Sequence, residues 1–332
     1  MTDRITARIM NTDYHNAIAS INDNSLDAVI TDPPYFLDSM GVGDDWNNDE
    51  LANMRTKKQV VSSLKGGMKF DKQQGIDFQN AMHELALLAL PKLKPGGWFI
   101  AFSAPRLYHR LAVGVEDAGY EIRDMMEWLY TKNQMKAMGL QRQLNADASI
   151  DDSKRTALHD ELESWKTPQM KSCFEPIVIA QKPREGTYYD NWVNHHIGLI
   201  NVRTNVGDNC NQATANVITT AHINTVIDHA FLVSKPSKSE RAGMKHPSMK
   251  PIALMQHIIE VFIPTGGLIF DPFLGSGTTC LAALNAGVNS IGSELSGDYY
   301  KDSLERASVL GYSVHSNDDN TAVIMKPVSL FD

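Results

Sequence analysis

The chain has 332 residues, 42% of them apolar, with 31 Lys and Arg against 39 Asp and Glu and a formal net charge of −8. That length bounds one large α/β domain or a core with an inserted lobe, and the acidic balance excludes binding a polyanion through overall charge. No apolar run reaches the length of a membrane span, and three scattered cysteines, Cys173, Cys210 and Cys280, argue against a disulfide framework or a cysteine zinc site.

The opening residues, Met1-Thr2-Asp3-Arg4, lack a signal peptide's apolar core, so a cytoplasmic protein is expected. Ala7–Asn11 reads as a first short strand and Tyr14–Ile21 as a helix, with Asp13 placed to cap it. Leu26-Asp27-Ala28-Val29-Ile30 is a buried strand, and Thr31-Asp32-Pro33-Pro34-Tyr35 follows at its C-terminal end, where an α/β sheet carries its chemistry. The two prolines fix φ and remove two N–H donors, leaving a stiff loop with a carboxylate, free-standing carbonyls and an aromatic ring. Such a loop suits a flat substrate bearing an amino group, which can stack on the ring while oxygens accept its two hydrogens. The same residues serve equally as ordinary strand-to-turn punctuation.

Residues 36–77 are polar, Gly-containing and without clear periodicity, which predicts a mobile segment closing over a substrate. Phe78–Leu90 carries a helical apolar stripe, Lys94-Pro95-Gly96-Gly97 turns the chain into a strand at Trp98–Phe102, and a helix (Pro105–Ala118) and a strand (Tyr120–Tyr130) follow. Beyond Thr131 the alternation breaks. Gln134–Leu144 and Thr156–Trp165 are polar and partly helical, Cys173–Ala180 is one more core strand, and Tyr188–Val233 is rich in Asn, Thr and His. Polar, irregular surface of this kind suits base-edge reading and equally describes any irregular region. Residues 131–250 carry a net charge of +3 against −11 elsewhere, so the middle is where a polyanion is tolerated. His195-His196 has no further ligand spaced to join it, and no metal site is expected.

Lys235, Lys238, Arg241, Lys245, His246 and Lys250 cluster in sequence as a candidate phosphate-contacting edge, ahead of a helix at Ile252–Ile263. Leu268-Ile269-Phe270-Asp271 is then another short strand, followed by Pro272-Phe273-Leu274-Gly275-Ser276-Gly277-Thr278-Thr279 and a helix from Cys280 to Ala286. A strand, a Gly-rich turn and a helix N-terminus let a nucleotide-like cofactor approach the backbone closely. No Lys follows Gly277, so this is not a phosphate loop, and no third Gly completes a dinucleotide fingerprint. Val288–Gly292 is the next strand and ends near Glu294, an acid placed to hold ribose hydroxyls. Gly297–Val309 is a last helix, and the tail 313–332 shows no stable element until Ala322–Met325.

Together these stretches resemble the β group of the S-adenosylmethionine-dependent amino DNA methyltransferases. Asp32-Pro33-Pro34-Tyr35 is similar to that family's catalytic motif, Asp271-Pro272-Phe273 through Thr279 to its cofactor motif, and His246-Pro247-Ser248-Met249-Lys250-Pro251 to the segment preceding it. The resemblance implies a Rossmann-like methyltransferase fold: a mostly parallel seven-stranded sheet with an inserted target-recognition region. It divides the chain into a catalytic half (1–132), an insert (133–234, with 172–183 a core strand), a cofactor half (235–312) and a tail (313–332). It implies Asp32, Pro33, Pro34 and Tyr35 as catalytic, with Asp13, Lys250, Asp271, Phe273, Gly275, Ser276, Gly277, Thr278 and Glu294 toward S-adenosylmethionine. The partner implied is double-stranded DNA, and the base is adenine at N6, because family members with Asp at the first motif position are mostly adenine enzymes. Cytosine N4, an RNA or protein amino group, or a non-catalytic DNA-binding module are the alternatives, and homodimerisation stays open. Val328-Ser329-Leu330-Phe331 resembles sliding-clamp peptides but lacks their leading Gln, so a disordered terminus is expected rather than a clamp contact.

Overall fold

The computed structural model describes residues 4–34, 72–130, 137–168, 170, 173–202, 215–219, 231–244, 249–318 and 320–327. Tyr35, the expected mobile segment up to residue 71, Lys245–Ser248 and the Val328–Phe331 peptide lie outside them.

Short apolar runs become strands because both of their faces can be buried. In β2 (Leu26–Thr31) every residue is buried. Ala28 and Ile30 enter one hydrophobic cluster and Val29 the other, as the two-residue period of a strand requires, while Leu26 joins the cluster of Val29 across a register shift between Leu26 and Ala28. The parallel core is β1 (Ala7–Met10), β9 (Asn289–Ser293), β8 (Leu268–Asp271), β2 and β3 (Leu93–Phe102), adjacent in that order. Helices α2 (Lys72–Ala89) and α3 (Tyr108–Asp117) cover one face through Phe78, Met82, Leu85, Leu111 and Val115. On the other face, α8 (Ile252–Phe262) packs Leu254, Met255, Ile258 and Ile259 against Ile30 and Ile100, and α9 (Thr278–Asn285) adds Ala282 and Ala283.

From β2 the chain crosses to β3 on one side, and from β8 it crosses through α9 to β9 on the other. The strand order therefore reverses between β2 and β8, and their C-terminal ends flank a crevice. Asp32 follows one of these ends and Asp271 closes the other.

The expected seven-stranded, mostly parallel sheet is corrected to eleven strands among the described residues. Strand β5 (Phe174–Gln181) lies antiparallel between β3 and β4 (Glu121–Leu129), and β6 (Val217–Thr219) and β7 (Phe231–Leu232) extend the sheet beyond β4. At the opposite edge the tail forms a hairpin, β10 (Ser313–Asp318) and β11 (Thr321–Met325), with β11 antiparallel to β1. β10 is polar and lies at the sheet edge, so it shows no apolar alternation. Its pairing follows from β11, whose Ala322 and Ile324 are buried against Ala7 and Ile9.

Four local expectations also shift. Helix α2 starts at Lys72 rather than Phe78, because buried Gln74 is held by Arg106 (2.6 Å) and Gln79 by Arg110 (2.9 Å). Pro95–Gly97 lies inside β3 at a register shift rather than in a turn before it. Within the polar middle, α4 (Gln141–Ala146) and α5 (Asp152–Leu162) pack on each other. There too, Tyr188–His195 forms α6, whose start is a capping box of Thr187 and Asp190. The remaining helices are α1 (Tyr14–Ala19), α7 (Lys238–Arg241) and α10 (Gly297–Val309). No helix among the described residues is long and apolar enough to cross a membrane.

Candidate active site

Asp32 leaves β2 partly exposed at the crevice, with Pro33 buried behind it. Its Oδ2 forms an ion pair with the Lys250 ammonium, which also lies 3.1 Å from Glu175 Oε2 and 4.8 Å from the centroid of the Phe102 ring. Burial pulls the Lys250 ammonium down, but the Asp32 and Glu175 carboxylates outweigh it and its pKa is raised. Lys250 is thus withdrawn from the expected phosphate-contacting edge. Of that cluster, Lys238 is exposed and Lys235 sits 4.1 Å over the Tyr130 ring.

Asp271 is buried at the end of β8 and accepts hydrogen bonds from Thr31 Oγ1 (2.8 Å) and the Phe273 N–H (3.1 Å). Burial pushes its carboxyl up to about 6, against the pull of the Thr279 and Thr31 hydroxyls and the Phe273 N–H, and the nearby Asp32 charge pushes the same way. Thr31 therefore ties the strand that carries Asp32 to the strand that carries Asp271.

The turn after Asp271 is built on two left-handed glycines, Gly275 (φ +52°) and Gly277 (φ +76°). A Cβ at Gly277 would also come 3.3 Å from Ser303 Cβ. Ser276 Oγ and Thr278 Oγ1 are 2.9 Å apart, and Thr278 Oγ1 donates to the Lys250 carbonyl (3.3 Å), joining the turn to the lysine segment. Behind the turn, buried Arg306 of α10 donates through Nη1 to the Ser276 carbonyl (2.8 Å) and Thr278 Oγ1 (2.9 Å), and through Nε to the Glu240 carbonyl (3.0 Å). Glu294, just beyond β9, accepts the Gly275 N–H (2.8 Å) and the Ser296 N–H (2.9 Å). Its burial raises the carboxyl pKa against the pull of those two donors.

Asp13 caps α1 by accepting the Asn16 N–H (3.0 Å). Partial burial raises its pKa, but the Asn16 and His15 donors outweigh it and the carboxyl lies below its ordinary value. The adjoining Tyr14 ring stacks edge-on against Phe273 at 5.5 Å, which brings the start of α1 to the turn.

One crevice thus gathers Asp32, Pro33, Lys250, Asp271 and the 273–278 turn, with Glu294 against the turn and Asp13 at its flank. Sequence reasoning missed Thr31, Glu175 and Arg306. The signals were a lone carboxylate in the apolar run Phe174–Ala180 and an arginine on the buried face of α10, beside Tyr300, Ser303 and Ala307. The His195-His196 pair holds no metal cluster among the described residues, and His195 Nε2 bonds Glu185 Oε2 at 2.7 Å.

The crevice fits S-adenosylmethionine by its own chemistry. Asp271 is a buried acid whose partners among the described residues are hydroxyls and a backbone N–H, none of them cationic, so the α-ammonium of the methionine end would supply its missing counter-charge. The two glycines open the backbone to close approach.

The DNA methylase family model N6_N4_Mtase matches residues 26–305. The chain is 26% identical over 316 residues to the Type II methyltransferase M.HindIII of Haemophilus influenzae, covering 91% of this chain and 95% of that protein. Among solved structures it resembles the cytosine-N4-specific PvuII DNA methyltransferase, with a TM-score of 0.57, 14% identity and coverage of 91% and 86% of the two chains. It also resembles M1.HpyAVI in complex with S-adenosylmethionine, with a TM-score of 0.50, 19% identity and coverage of 90% and 98%. At these identities the structural likeness establishes the fold alone, whereas the family match spans most of the chain. The protein belongs to the DNA methylase family, the S-adenosylmethionine-dependent amino DNA methyltransferases.

Proposed function

We propose that this chain methylates the exocyclic N6 of adenine in double-stranded DNA, with Asp32 and the Pro33 carbonyl as the groups that activate the amino nitrogen. The observation that carries the reading is the meeting of Asp32 and Asp271 across the β2–β8 crevice through the Thr31 hydrogen bond.

An exocyclic amino nitrogen is a poor nucleophile because its lone pair is delocalised into the ring. Asp32 and the Pro33 carbonyl each accept one amino hydrogen, which draws the nitrogen towards tetrahedral geometry and frees the lone pair. When bound, S-adenosylmethionine supplies an electrophilic sulfonium methyl. As the nitrogen gains the methyl, the methyl–sulfur bond would break to leave a neutral thioether; Asp32 stabilises the positive charge that grows on the nitrogen and the surplus amino proton leaves along its hydrogen bond to Asp32, so catalysis is positioning and electrostatics with no covalent enzyme intermediate. A base stacked in a duplex cannot reach the crevice, so it is flipped out, and Tyr35 is assigned to stack on it. Asp271 and the Phe273–Thr278 turn hold the amino acid end of the cofactor, Glu294 its ribose hydroxyls and Asp13 its adenine side. Lys250, expected toward the cofactor, is reassigned here: its ammonium lies between Asp32 and Glu175, so it acts from beneath, through Asp32. The insert 133–234 is the candidate for target recognition. Within it α5 is acidic, its span from Asp151 to Glu163 bearing Asp152, Asp160 and Glu161 against Lys154 and Arg155, so it faces away from phosphates in this reading.

The test is methyl transfer from labelled S-adenosylmethionine to unmethylated genomic DNA, followed by nucleoside analysis. Label in N6-methyladenine is expected. Label in N4-methylcytosine would keep the mechanism and overturn the base, and label only in RNA or protein would overturn the substrate.

A further inference from the structure

We infer that Glu175 is a positioning residue of this site: from β5 it holds the Lys250 ammonium between two carboxylates, so that Lys250 orients Asp32 without quenching it. The inference rests on the reading of Asp32 as the acceptor of the amino hydrogens.

Lys250 is nearly fully buried, while Asp32 and Glu175 keep 20% and 22% of their side-chain surface exposed, and the Glu175 Oε2 that meets the ammonium is itself buried. A lysine has a long stem with many rotamers, and an ammonium is a point charge without the directional fork of arginine. Its position must come from what surrounds it. Three contacts fix it: Asp32 Oδ2, Glu175 Oε2 at 3.1 Å and the Phe102 ring at 4.8 Å. The segment that carries it is tethered by Thr278 through the Lys250 carbonyl. Glu175 is the rigid member of the set. It faces Trp128 across the β4–β5 ladder, and β5 is itself paired with β3 on its other side.

The charge count makes the same point. Lys250 opposite Asp32 alone would be a closed neutral pair, in which the ammonium competes with the substrate amino group for the carboxylate. With Glu175 added, the cluster carries one net negative charge, the sign that favours positive charge building on the attacking nitrogen. A purely structural role would differ, because its removal would leave a buried, half-paired lysine and appear as lost stability with an ordinary turnover.

The experiment compares the full-length chain with Glu175→Gln, Lys250→Met and the double variant. It measures kcat for transfer to DNA at saturating substrates, cofactor Kd by calorimetry, and Tm. Glu175→Gln is expected to lower kcat on the order of tenfold or more with cofactor Kd within about twofold. The double variant should be no slower than Lys250→Met alone, because Glu175 acts through the lysine. Wild-type kcat in Glu175→Gln, independent losses in the double variant, or a loss seen only in Tm would overturn the inference. Should Glu175→Gln fail to fold, Glu175→Asp keeps the charge but withdraws it by one methylene. A lowered kcat with unchanged cofactor Kd is then expected, and wild-type kcat would overturn the inference. A wild-type chain without transfer to DNA, or an Asp32→Ala variant that retains it, would instead overturn the underlying reading and this inference with it.

Discussion

Asp271 shows how a single buried group links folding to ligand binding. Its folded pKa of about 6 lies above the ordinary 3.8, so the native state holds the proton more tightly than the unfolded chain. In the ligand-free protein this group's contribution to stability therefore falls as pH rises from about 4 to about 6. The α-ammonium of the cofactor reverses the sign, because it pairs with the ionised acid. Cofactor affinity should then rise with pH through about 6 and level off above it, roughly tenfold weaker at pH 5 than on the plateau. Calorimetric titration of S-adenosylmethionine across pH 5 to 8 checks this. Asp271→Asn should bind weakly at every pH, and a wild-type profile that stays flat would argue against the assignment. Asp32, Asp271 and Glu294 were legible in the sequence because each follows a recognisable apolar strand. Glu175 was not, because its meaning depends on Lys250, which no local pattern brings near it.

At the scale of elements, the cofactor turn is held from behind by α10. Arg306 is buried, burial pulls its pKa down to about 10 despite the favourable Glu240 charge, and it stays cationic at neutral pH. It meets the Ser276 carbonyl, Thr278 and the Glu240 carbonyl at once, so one guanidinium joins the turn, α9 and α7. Arg306→Met would strip these acceptors of their donor at a cost of about 1–3 kcal/mol each where no water replaces it. It should weaken cofactor binding at least tenfold and lower Tm, both read by thermal shift with and without S-adenosylmethionine. Arg306→Lys should rescue little, because a single ammonium cannot span the three acceptors. Unchanged cofactor stabilisation in Arg306→Met would remove this link. Elements with internal periodicity were readable from sequence, including β2, β8, α8 and α10. Those made by their neighbours were not: β10 is recruited by β11 along the open edge of β1, and the start of α2 is held by Arg106 and Arg110.

At the scale of the molecule, the Asp32-Pro33-Pro34 stretch and the Asp271–Thr279 turn lie far apart in the sequence yet share one crevice. The reversal of strand order between β2 and β8 brings them there. Alternating strands and helices made a parallel core legible. The antiparallel β5 and the two sheet extensions were hidden, since strand direction is decided by long-range pairing rather than local pattern. The acidic net charge also takes a place in this picture. In the proposed reading the crevice carboxylates, buried Asp271 and Glu294 and partly exposed Asp32, face the cofactor and the amino group, and their charges belong to the site rather than to a DNA-facing surface.

The most direct test of the account replaces Asp32 and separates its two consequences. In an Asp32→Ala variant of the full chain, titration with S-adenosylmethionine and transfer of labelled methyl to unmethylated DNA are measured side by side. Cofactor affinity should stay within a few-fold of wild type while transfer falls by roughly a thousandfold or more. Retained transfer would contradict the catalytic role of Asp32, and lost cofactor binding with a folded chain would make Asp32 part of the cofactor site instead.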